Sequence, residues 1–395
     1  MNKKIQLKRT AVQAYQDGRL PLTRESLQEG FPWGLQEGDL FDLYVKNQFV
    51  AQAYFGLQHK GVGFVLTQDQ HQQIDEHFFV QKMQAAWEKR ASLASDPETN
   101  CFRLFHDQGD GVGGLQIDYF AGYLLIHWYS RGIYAFSEPI LQAIKQVFPY
   151  EGIYEKRRFK EAGGYQPGDD FVEGKPHPKP FWVKEHQLFY RIDLNDGAMV
   201  GLFMDQREVR KALLSGLAKD RDVLNTFSYT GVYSVTCKKG GAKKTTSVDL
   251  ANRSRQWTLD NLIHNGMDPR HEDIVVEDIF AYFRYARKKN LSFDLIILDP
   301  PSFSRSKKKT FQVERDYPLL LDAALGLLRA RGILLVSTNC STLSMANLKK
   351  TVRAACERAQ RQGRMLREFT NPLDFPAHPL DEDSLYLKVL LWEVT

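Results

Sequence analysis

Cysteine is scarce in this 395-residue sequence. The four cysteines are Cys101, Cys237, Cys340 and Cys356. Their spacing gives neither a CxxC pair nor the dense pattern of a disulfide-rich secreted domain, and the histidines are equally scattered. We therefore expect no structural metal site, and we expect three of the cysteines to be small buried hydrophobic residues.

Long hydrophobic runs are also missing. No segment approaches the roughly 20 apolar residues that a membrane-spanning helix needs. The first residues, Met-Asn-Lys-Lys, lead into no apolar signal segment. The sequence therefore predicts a cytoplasmic protein that does not insert into a membrane.

A large excess of one charge is absent as well. The 53 basic and 48 acidic residues leave a net charge of +5, which permits a polyanionic partner such as RNA without requiring one. With 43% hydrophobic and 12% aromatic residues, the chain has enough apolar material for two or three globular domains. No class of disordered protein applies.

The segment 293–303 is the most informative part of the sequence. Its apolar run predicts a central strand buried on both faces, which ends at Pro300 and Pro301 because proline cannot donate a hydrogen bond to a sheet. Ligands of open α/β sheets bind at the carboxyl ends of the strands, where this loop would lie. Asp299 can accept a hydrogen bond from a flat heterocycle while the prolines and Phe303 stack against it, which suits a nucleobase.

The second half of the chain alternates strands with helices. Strands are predicted at residues 223–226, 245–249, 274–277, 295–298 and 333–338, with helical patterns between them. This alternation predicts an α/β fold with a doubly wound, Rossmann-like parallel sheet.

Three acids follow successive strands of this sheet. Asp249 can accept hydrogen bonds from both hydroxyls of a ribose, and Asp278 can meet an adenine edge, while Asp299 follows the next strand. Each acid alone is also typical of a helix N-cap, but the ordered set favours a ligand site. The turn at 225–231 has one glycine and no phosphate-binding glycine run. S-adenosylmethionine, with a ribose and an adenine but no phosphate, therefore fits better than a pyrophosphate cofactor.

Three domains are predicted. Residues 1–70 form a small β-rich unit that resembles a PUA-like RNA-binding domain, residues 71–182 a central α+β domain with a linker, and residues 183–395 the α/β domain. The stretch 109–114 matches the GxGxxG pattern of dinucleotide sites, but it leads into a strand instead of a helix. It is better explained as a hairpin turn that needs positive φ angles.

Nearly the full length resembles a known family: the class I S-adenosylmethionine-dependent methyltransferases that carry a PUA domain and modify bases of large-subunit ribosomal RNA. The resemblance rests on residues 201–207 (Gly-Leu-Phe-Met-Asp-Gln-Arg), 225–231 (Asn-Thr-Phe-Ser-Tyr-Thr-Gly), 247–249 (Ser-Val-Asp), 298–303 (Leu-Asp-Pro-Pro-Ser-Phe), His378-Pro379 and 385–388 (Leu-Tyr-Leu-Lys). It implies S-adenosylmethionine as cofactor and large-subunit ribosomal RNA as partner. The cofactor-binding residues are then Gln206, Asn225, Phe227, Ser228, Tyr229, Thr230, Gly231, Asp249, Asp278 and Asp299.

Cys340 favours cytosine C5 as the target. Because C5 is an unactivated carbon, an enzyme adds a thiolate to C6 while an acid near N3 stabilises the adduct. Cys340 follows the fifth strand and Asp299 the fourth, so a nucleophile and an acid would share one edge. The resemblance to 5-methylcytosine RNA methyltransferases supports this pair as catalytic residues. A buried thiol without a chemical role is the other interpretation of Cys340.

Guanine N7 is the alternative target. The run 300–307 looks equally like the related guanine-N7 methyltransferases, in which the N7 lone pair attacks the methyl group directly. In that interpretation Asn339 matters and Cys340 does not. The residues expected to contact RNA in either case are Pro300, Pro301, Phe303, Arg305 and Lys307.

Two further classes of function stay open. A non-catalytic RNA-binding or ribosome-assembly factor has no need of three intact acids and an Asp-Pro-Pro motif, which disfavours it. A methyltransferase for small molecules is disfavoured by the PUA-like start. The sequence does not fix the methylated nucleotide, and it leaves a homodimer open.

Overall fold

The computed structural model describes residues 2–29, 34–58, 61–159, 170–195, 197–305 and 310–395, with only the backbone of residues 303–305 and 310. The chain forms two compact units. The first contains Met1–Val183, Asp193–Val200 and Leu373–Leu385, and the second contains Lys184–Ile192, Gly201–Pro372 and Tyr386–Thr395. The division into three domains at residues 70 and 182 stays a prediction.

The first unit contains ten strands and five α-helices among its described residues. The strands are β1 (Lys3–Gln6), β2 (Pro21–Thr23), β3 (Leu40–Val45), β4 (Gln48–Gln58), β5 (Gly61–Thr67), β6 (Cys101–His106), β7 (Leu115–Phe120), β8 (Tyr123–Trp128), β9 (Gly152–Arg157) and β10 (Phe171–Gly174). The helices are α1 (Val12–Gln16), α2 (Glu76–Lys89), α3 (Ala91–Ala94), α4 (Arg131–Tyr134) and α5 (Ser137–Val147).

Two five-stranded sheets organise the first unit. One has the order β1-β3-β4-β5-β2 and the other the order β10-β9-β8-β7-β6. Apolar residues of α2 and α5, such as Phe79 and Ile144, share a buried core with β6, β7 and β8 of the second sheet. The β-rich start and the α+β character of the following segment agree with the sequence prediction.

The glycine-rich stretch 109–114 joins β6 to β7, which run antiparallel. Gly111 and Gly114 have φ angles of 85° and 82°, which is the left-handed region that the hairpin interpretation requires. Helix α2, which precedes this sheet in the chain, begins at Glu76. The Asp75 side chain accepts a hydrogen bond from Phe78 N at 3.1 Å and caps the helix there.

A two-stranded sheet is formed by β11 (Phe181–Glu185), which ends in the second unit, and β12 (Leu188–Ile192), which belongs to the second unit. The remaining elements listed here all lie in the second unit. Its strands are β13 (Asp222–Thr226), β14 (Lys244–Asp249), β15 (Asp273–Val276), β16 (Phe293–Leu298), β17 (Phe303–Arg305), β18 (Thr310–Gln312), β19 (Leu328–Thr338), β20 (Gly363–Phe369) and β21 (Lys388–Val394). Its helices are α6 (Arg207–Ala212), α7 (Val232–Lys239), α8 (Asn252–His264), α9 (Ile279–Lys288), α10 (Val313–Leu325) and α11 (Met345–Arg358). No helix in the described ranges is long and apolar enough to cross a bilayer.

A seven-stranded sheet of order β15-β14-β13-β16-β19-β21-β20 forms the centre of the second unit. Strands β13, β14, β15, β16 and β19 pair in parallel, which confirms the doubly wound sheet predicted from the sequence. The chain order reverses between β13 and β16. In open sheets of this kind the crevice at such a reversal is where ligands bind.

Strand β16 is buried on both faces, as its apolar sequence predicts. Ile296 and Leu298 belong to one hydrophobic cluster, whereas Leu295 and Ile297 belong to another. Because successive side chains of a strand point to opposite faces, the two clusters cover the two sides of the sheet. This burial fixes the position of Asp299 at the strand end.

The last two strands were not predicted from the sequence. Strand β21 pairs antiparallel with β19, and β20 pairs antiparallel with β21 at the edge of the sheet. The pairing of β20 shifts register between Met365 and Arg367, which is the mark of a β-bulge.

A buried ion pair joins β11 to α6 inside the second unit. Arg210 donates from Nε and Nη2 to the two carboxylate oxygens of Glu185 at 2.6 and 2.8 Å, and both side chains are almost fully buried. Burial opposes ionisation of Glu185, but the Arg210 and Arg207 guanidinium groups outweigh it and hold its pKa below the usual value. Such a pair is costly to break because it leaves a charge buried without a partner.

We expect Glu185→Gln to lower the free energy of unfolding by about 3–5 kcal/mol, since the Arg210 charge stays buried and uncompensated. Urea denaturation followed by tryptophan fluorescence measures the change. The control is Glu393→Gln, which removes the exposed Arg364–Glu393 pair and should cost at most about 1 kcal/mol. Equal losses in the two variants would contradict the structural role of the buried pair.

Candidate active site

The turn after β13 has an unusual backbone. Phe227 and Tyr229 have φ angles of 54° and 50°, and Gly231 has 76°. A Cβ on Gly231 would lie 2.5 Å from the Thr258 side chain, so only glycine fits there. Left-handed non-glycine residues are strained, and such strain concentrates at functional sites. The predicted cofactor turn is therefore a rigid and specific structure.

Asp249, at the carboxyl end of β14, holds this turn in place. Its Oδ2 accepts a hydrogen bond from Tyr229 N at 2.8 Å, and its Oδ1 accepts one from Ala251 N at 2.8 Å. Each carboxylate oxygen can accept a second hydrogen bond, so Asp249 can still bind hydroxyl groups. Burial raises the pKa of Asp249, while the backbone N–H groups of Ala251 and Tyr229 oppose the rise.

Several predicted cofactor-binding residues make hydrogen bonds to other residues of the protein. Asn225 donates to Ser234 Oγ at 2.9 Å, and Thr230 Oγ1 donates to Gly201 O at 2.7 Å. Ser228 N donates to Val248 O at 3.0 Å. These contacts shape the turn from inside, and a direct role of the three residues in binding stays a prediction.

Gln206 links α7, the helix that follows this turn, to the end of β19. Its Nε2 donates to Ser337 Oγ at 2.9 Å, and its Oε1 accepts from the Tyr233 hydroxyl at 2.8 Å. Gln206 is buried, so these hydrogen bonds fix the end of β19 from within the protein.

Asp278 caps helix α9. Its Oδ1 accepts a hydrogen bond from Ala281 N at 3.0 Å, which is the ordinary role of an aspartate at the start of a helix. The structure thus gives Asp278 the N-cap role that the sequence left open, and contact of its second oxygen with an adenine stays a prediction.

Asp299 lies at the carboxyl end of β16. Burial raises its pKa to about 6, and the nearby Asp205 carboxylate adds to the rise, while a hydrogen bond with Ser337 opposes it. The Tyr386 hydroxyl donates to Asp205 Oδ2 at 2.9 Å. Asp299 is therefore a carboxyl group that can hold or release a proton near neutral pH.

The Asp-Pro-Pro loop is attached to the loop after β19. Ser302 Oγ donates to Asn339 Oδ1 at 2.5 Å. Pro300 is buried, whereas Pro301 is exposed and can face a ligand. The backbone of Phe303 and Arg305 belongs to β17, which pairs with β18, but their side chains are not described, and Lys307 lies outside the described residues.

Cys340 lies in the loop after β19, the strand next to β16. Its thiol is partly exposed, whereas the other three cysteines are buried as expected. Lys388 donates from Nζ to Cys340 O and to Tyr386 O, both at 2.8 Å, although Lys388 is only 5% exposed. The structure therefore brings the Cys340 and Asp299 loops to the same edge of the sheet.

Sequence reasoning missed parts of this site. Lys388 belongs to the motif 385–388, from which no separate role could be predicted. A lysine at the start of the apolar run Val-Leu-Leu-Trp nevertheless indicates a buried cation. Asp205 gave no separate signal. Thr342 and Glu314 also lie here, since Cys340 Sγ is 3.1 Å from Thr342 Oγ1, and Thr342 Oγ1 donates to Glu314.

The carboxylate side chains at this edge of the sheet fit S-adenosylmethionine. Asp249 offers acceptors for hydroxyl groups, and Asp205 and Asp299 place negative charge at the same edge, which suits a ligand with positive groups. S-adenosylmethionine has ribose hydroxyls, an ammonium group and a sulfonium group. A pyrophosphate would instead meet like charges here.

Comparisons with known proteins agree with this chemistry. The S-adenosylmethionine-dependent methyltransferase family matches residues 103–392, and a PUA-like domain matches residues 5–68. The chain is 46% identical over 374 residues, 94% of both chains, to the Bacillus subtilis protein named "Putative ribosomal RNA large subunit methyltransferase YwbD". It is 30% identical over 354 residues, 88% of both chains, to "Ribosomal RNA large subunit methyltransferase I" of Pseudoalteromonas translucida.

A solved structure is similar over nearly the whole length. It is described as "a putative methyltransferase complexed with SAH", is 34% identical and superposes with a TM-score of 0.91. The match covers 99% of this chain and 100% of the other.

We expect Asp249→Asn to weaken binding of S-adenosylmethionine about 10- to 100-fold, because hydrogen bonds to a charged acceptor are worth roughly 1.5–3 kcal/mol. Isothermal titration calorimetry measures the dissociation constant. The control is Asp273→Asn at the amino-terminal end of β15, on the opposite edge of the sheet, which should leave affinity unchanged. Unchanged affinity in Asp249→Asn would contradict the ribose-binding role.

Affinity for S-adenosylmethionine should also depend on pH. Since Asp299 has a pKa of about 6, it is ionised at neutral pH and attracts a cation, and it becomes neutral as the pH falls below 6. We expect affinity to fall by up to about tenfold per pH unit below that value. Calorimetry of wild type and Asp299→Asn between about pH 5 and 8 tests this. Equal pH dependence in both proteins would be evidence against the role of Asp299.

Proposed function

Because this chain belongs to the S-adenosylmethionine-dependent methyltransferase family and carries a PUA-like domain, we propose that it methylates cytosine C5 of large-subunit ribosomal RNA. The cofactor is S-adenosylmethionine, which supplies the methyl group from its sulfonium. Two lines of support lead to the finer assignment: the names of the relatives and the placement of Cys340.

RNA is the substrate that the relatives suggest. Two relatives that each match more than four fifths of this chain are named for the large subunit of ribosomal RNA. The PUA-like match at residues 5–68 supports the same substrate, since the sequence start resembles an RNA-binding domain. A small-molecule substrate would leave that domain without a purpose.

The position of Cys340 is the observation that carries the choice of cytosine C5. Its partly exposed thiol lies at the carboxyl edge of the sheet, and its backbone is fixed by Lys388 Nζ and by a hydrogen bond from Cys340 N to Thr338 Oγ1 at 3.2 Å. A thiol with no chemical role is usually buried, as the other three cysteines are. The partial exposure of Cys340 therefore supports a chemical role for its thiol.

Cys340 and Asp299 divide the chemistry between them. The Cys340 sulfur adds to C6, and Asp299 gives its proton to N3, so that C5 becomes an enamine carbon able to take the methyl group. Because its pKa is about 6, roughly a tenth of the Asp299 carboxyl groups still carry a proton at pH 7, whereas an ordinary aspartate carries almost none, and this protonated form donates to N3. C5 then loses its proton to water, N3 returns its proton to Asp299, and the sulfur–C6 bond breaks.

Guanine N7 is the second candidate target, and the position of Asn339 favours it. The Asn339 side chain accepts a hydrogen bond from Ser302 in the Asp-Pro-Pro loop. It therefore lies beside the loop that is predicted to stack against the nucleobase. Attack by N7 would need no thiol. The identity of the methylated nucleoside and the activity of a Cys340 variant separate the two targets.

We expect purified protein to transfer labelled methyl groups to unmodified large-subunit RNA as 5-methylcytidine, and Cys340→Ala to abolish this transfer, because the other three cysteines are buried and cannot form the covalent adduct. Nucleosides resolved by mass spectrometry identify the product. Cys237→Ala, which changes a buried cysteine of the same unit, is the control for the substitution.

Label in a guanosine that persists in Cys340→Ala would move the assignment to N7. Calorimetry with S-adenosylmethionine confirms that each variant still binds the cofactor, so a loss of transfer reports on chemistry.

A further inference from the structure

The Cys340 thiol has a specific neighbour. Its Sγ lies 3.1 Å from Thr342 Oγ1, and the Thr342 hydroxyl donates a hydrogen bond to Glu314 Oε1. A hydroxyl has one hydrogen, and Thr342 gives it to Glu314. Toward the sulfur, Thr342 Oγ1 therefore offers a lone pair, and the thiol is the donor. The three groups form a chain that leads from the sulfur to a carboxylate.

Two separate elements hold this chain in place. Glu314 is in the first turn of α10, where the helix dipole favours a negative charge. Thr342 is in the loop after β19, in a turn closed by the hydrogen bond from Leu343 N to Cys340 O at 3.2 Å. Ser344 caps α11 directly afterwards, with its side chain accepting from Asn347 N. The contact is thus built between two fixed helix starts.

We propose that Glu314, acting through Thr342, takes the proton of the Cys340 thiol when the sulfur attacks the base. This inference rests on the proposed function, since it supplies the base that covalent attack by Cys340 requires. In this scheme Thr342 touches the reacting sulfur and is a catalytic residue, while Glu314 acts through it.

The proton transfer balances. As the sulfur–C6 bond forms, the S–H bond breaks and its proton passes to Thr342 Oγ1, which gives its own proton to Glu314. The electron pair of the C5–C6 double bond moves to C4–C5, and the pair of C4–N3 moves to N3, which receives the proton of Asp299. When the sulfur leaves C6, Glu314 returns its proton to the sulfur along the same path.

The described charged groups around the thiol come from three places: α10, β21 and the loop after β16. Glu314 faces it through Thr342 from α10, and Lys388 from β21 contacts the Cys340 carbonyl. Asp299 belongs to the loop after β16. Asp316 of α10 is paired with Arg315 at 2.8 Å. A carboxylate that merely lay nearby would repel the thiolate, so removing it would speed the reactions of the thiol. A carboxylate that takes the proton has the opposite effect.

Alkylation of Cys340 by iodoacetamide tests the chain of groups without RNA or cofactor. The rate is measured against pH in the full-length protein by mass spectrometry of the Cys340 peptide, with the buried cysteines as internal references. We expect Glu314→Gln and Thr342→Val to slow alkylation at pH 7 by at least about tenfold. The defect should shrink as the pH is raised, because hydroxide then removes the proton from the thiol in place of Glu314.

Two further variants separate proton transfer from a structural role. Thr342→Ser keeps the hydroxyl and should retain the wild-type profile. Asp322→Asn removes an exposed carboxylate of the same helix, where it pairs with Arg358, and should also leave the profile unchanged. Faster or equal alkylation in Glu314→Gln, or a loss in Thr342→Ser as large as in Thr342→Val, would overturn the proposal.

Methyl transfer gives the second readout. Glu314→Gln should lower the rate at pH 7 by about 10- to 100-fold, and the ratio of its rate to the wild-type rate should rise with pH, which a misfolded variant would not show. If Cys340→Ala is inactive while alkylation of Glu314→Gln matches wild type, the target assignment stands and the proton path is wrong. If Cys340→Ala still methylates a guanosine, the proposed function is wrong, and the alkylation profiles then report only on the thiol.

Discussion

The Tyr317 hydroxyl holds together the two strand ends on which the candidate site depends. It lies 3.1 Å from Leu298 O and 2.7 Å from Ser337 O, and so shares its hydrogen between the last residue of β16 and the penultimate residue of β19. Where parallel strands part to make room for a ligand, their final carbonyl groups lose their sheet partners. Tyr317 satisfies both from α10, and burial raises its pKa well above the usual value, so it remains a donor. The loops that carry Asp299 and Cys340 both begin beside these two hydrogen bonds.

The same helix connects the structural and chemical parts of the site. Helix α10 supplies Tyr317 to the strand ends and Glu314 to the Thr342 hydroxyl near its start. Its buried residues, such as Leu320 and Ala324, pack in the cluster that also contains Ile296 and Val336 of the sheet. The spacing between the thiol loop and its carboxylate is therefore set by core packing and does not depend on the exposed chain alone.

The parallel part of the sheet could be predicted in part because strands that are buried on both faces have continuous apolar sequences. Strands β16 and β19 contain such runs, whereas β13, β14 and β15 could be predicted from the alternation of strand and helix patterns. The antiparallel strands β20 and β21 were missed, since the alternation rule concerns parallel strands and β20 is exposed at six of its seven positions. No apolar pattern marked that edge strand.

The candidate site was predictable to the extent that it follows strand ends. Asp249 and Asp299 lie at the carboxyl edge because their strands end there, which sequence spacing reveals. The partners of Gln206, namely Ser337 and Tyr233, come from distant segments, and no local pattern encodes such contacts. The same holds for Glu314 and Thr342. Residues marked by a local sequence pattern could be predicted. Residues that come together only in the folded chain could not.

The bulge in β20 bears on how this protein behaves at high concentration. A regular edge strand is a template on which another chain can add by backbone hydrogen bonding, and this is a common start of aggregation. Here the register shift at Met365 and Arg367 bends one edge of the sheet, and Arg364 and Arg367 place charge along it. The opposite edge is β15, which has only four residues. Both borders of the central sheet therefore resist strand addition, so newly made chains can fold beside one another in a crowded cell without joining their sheets.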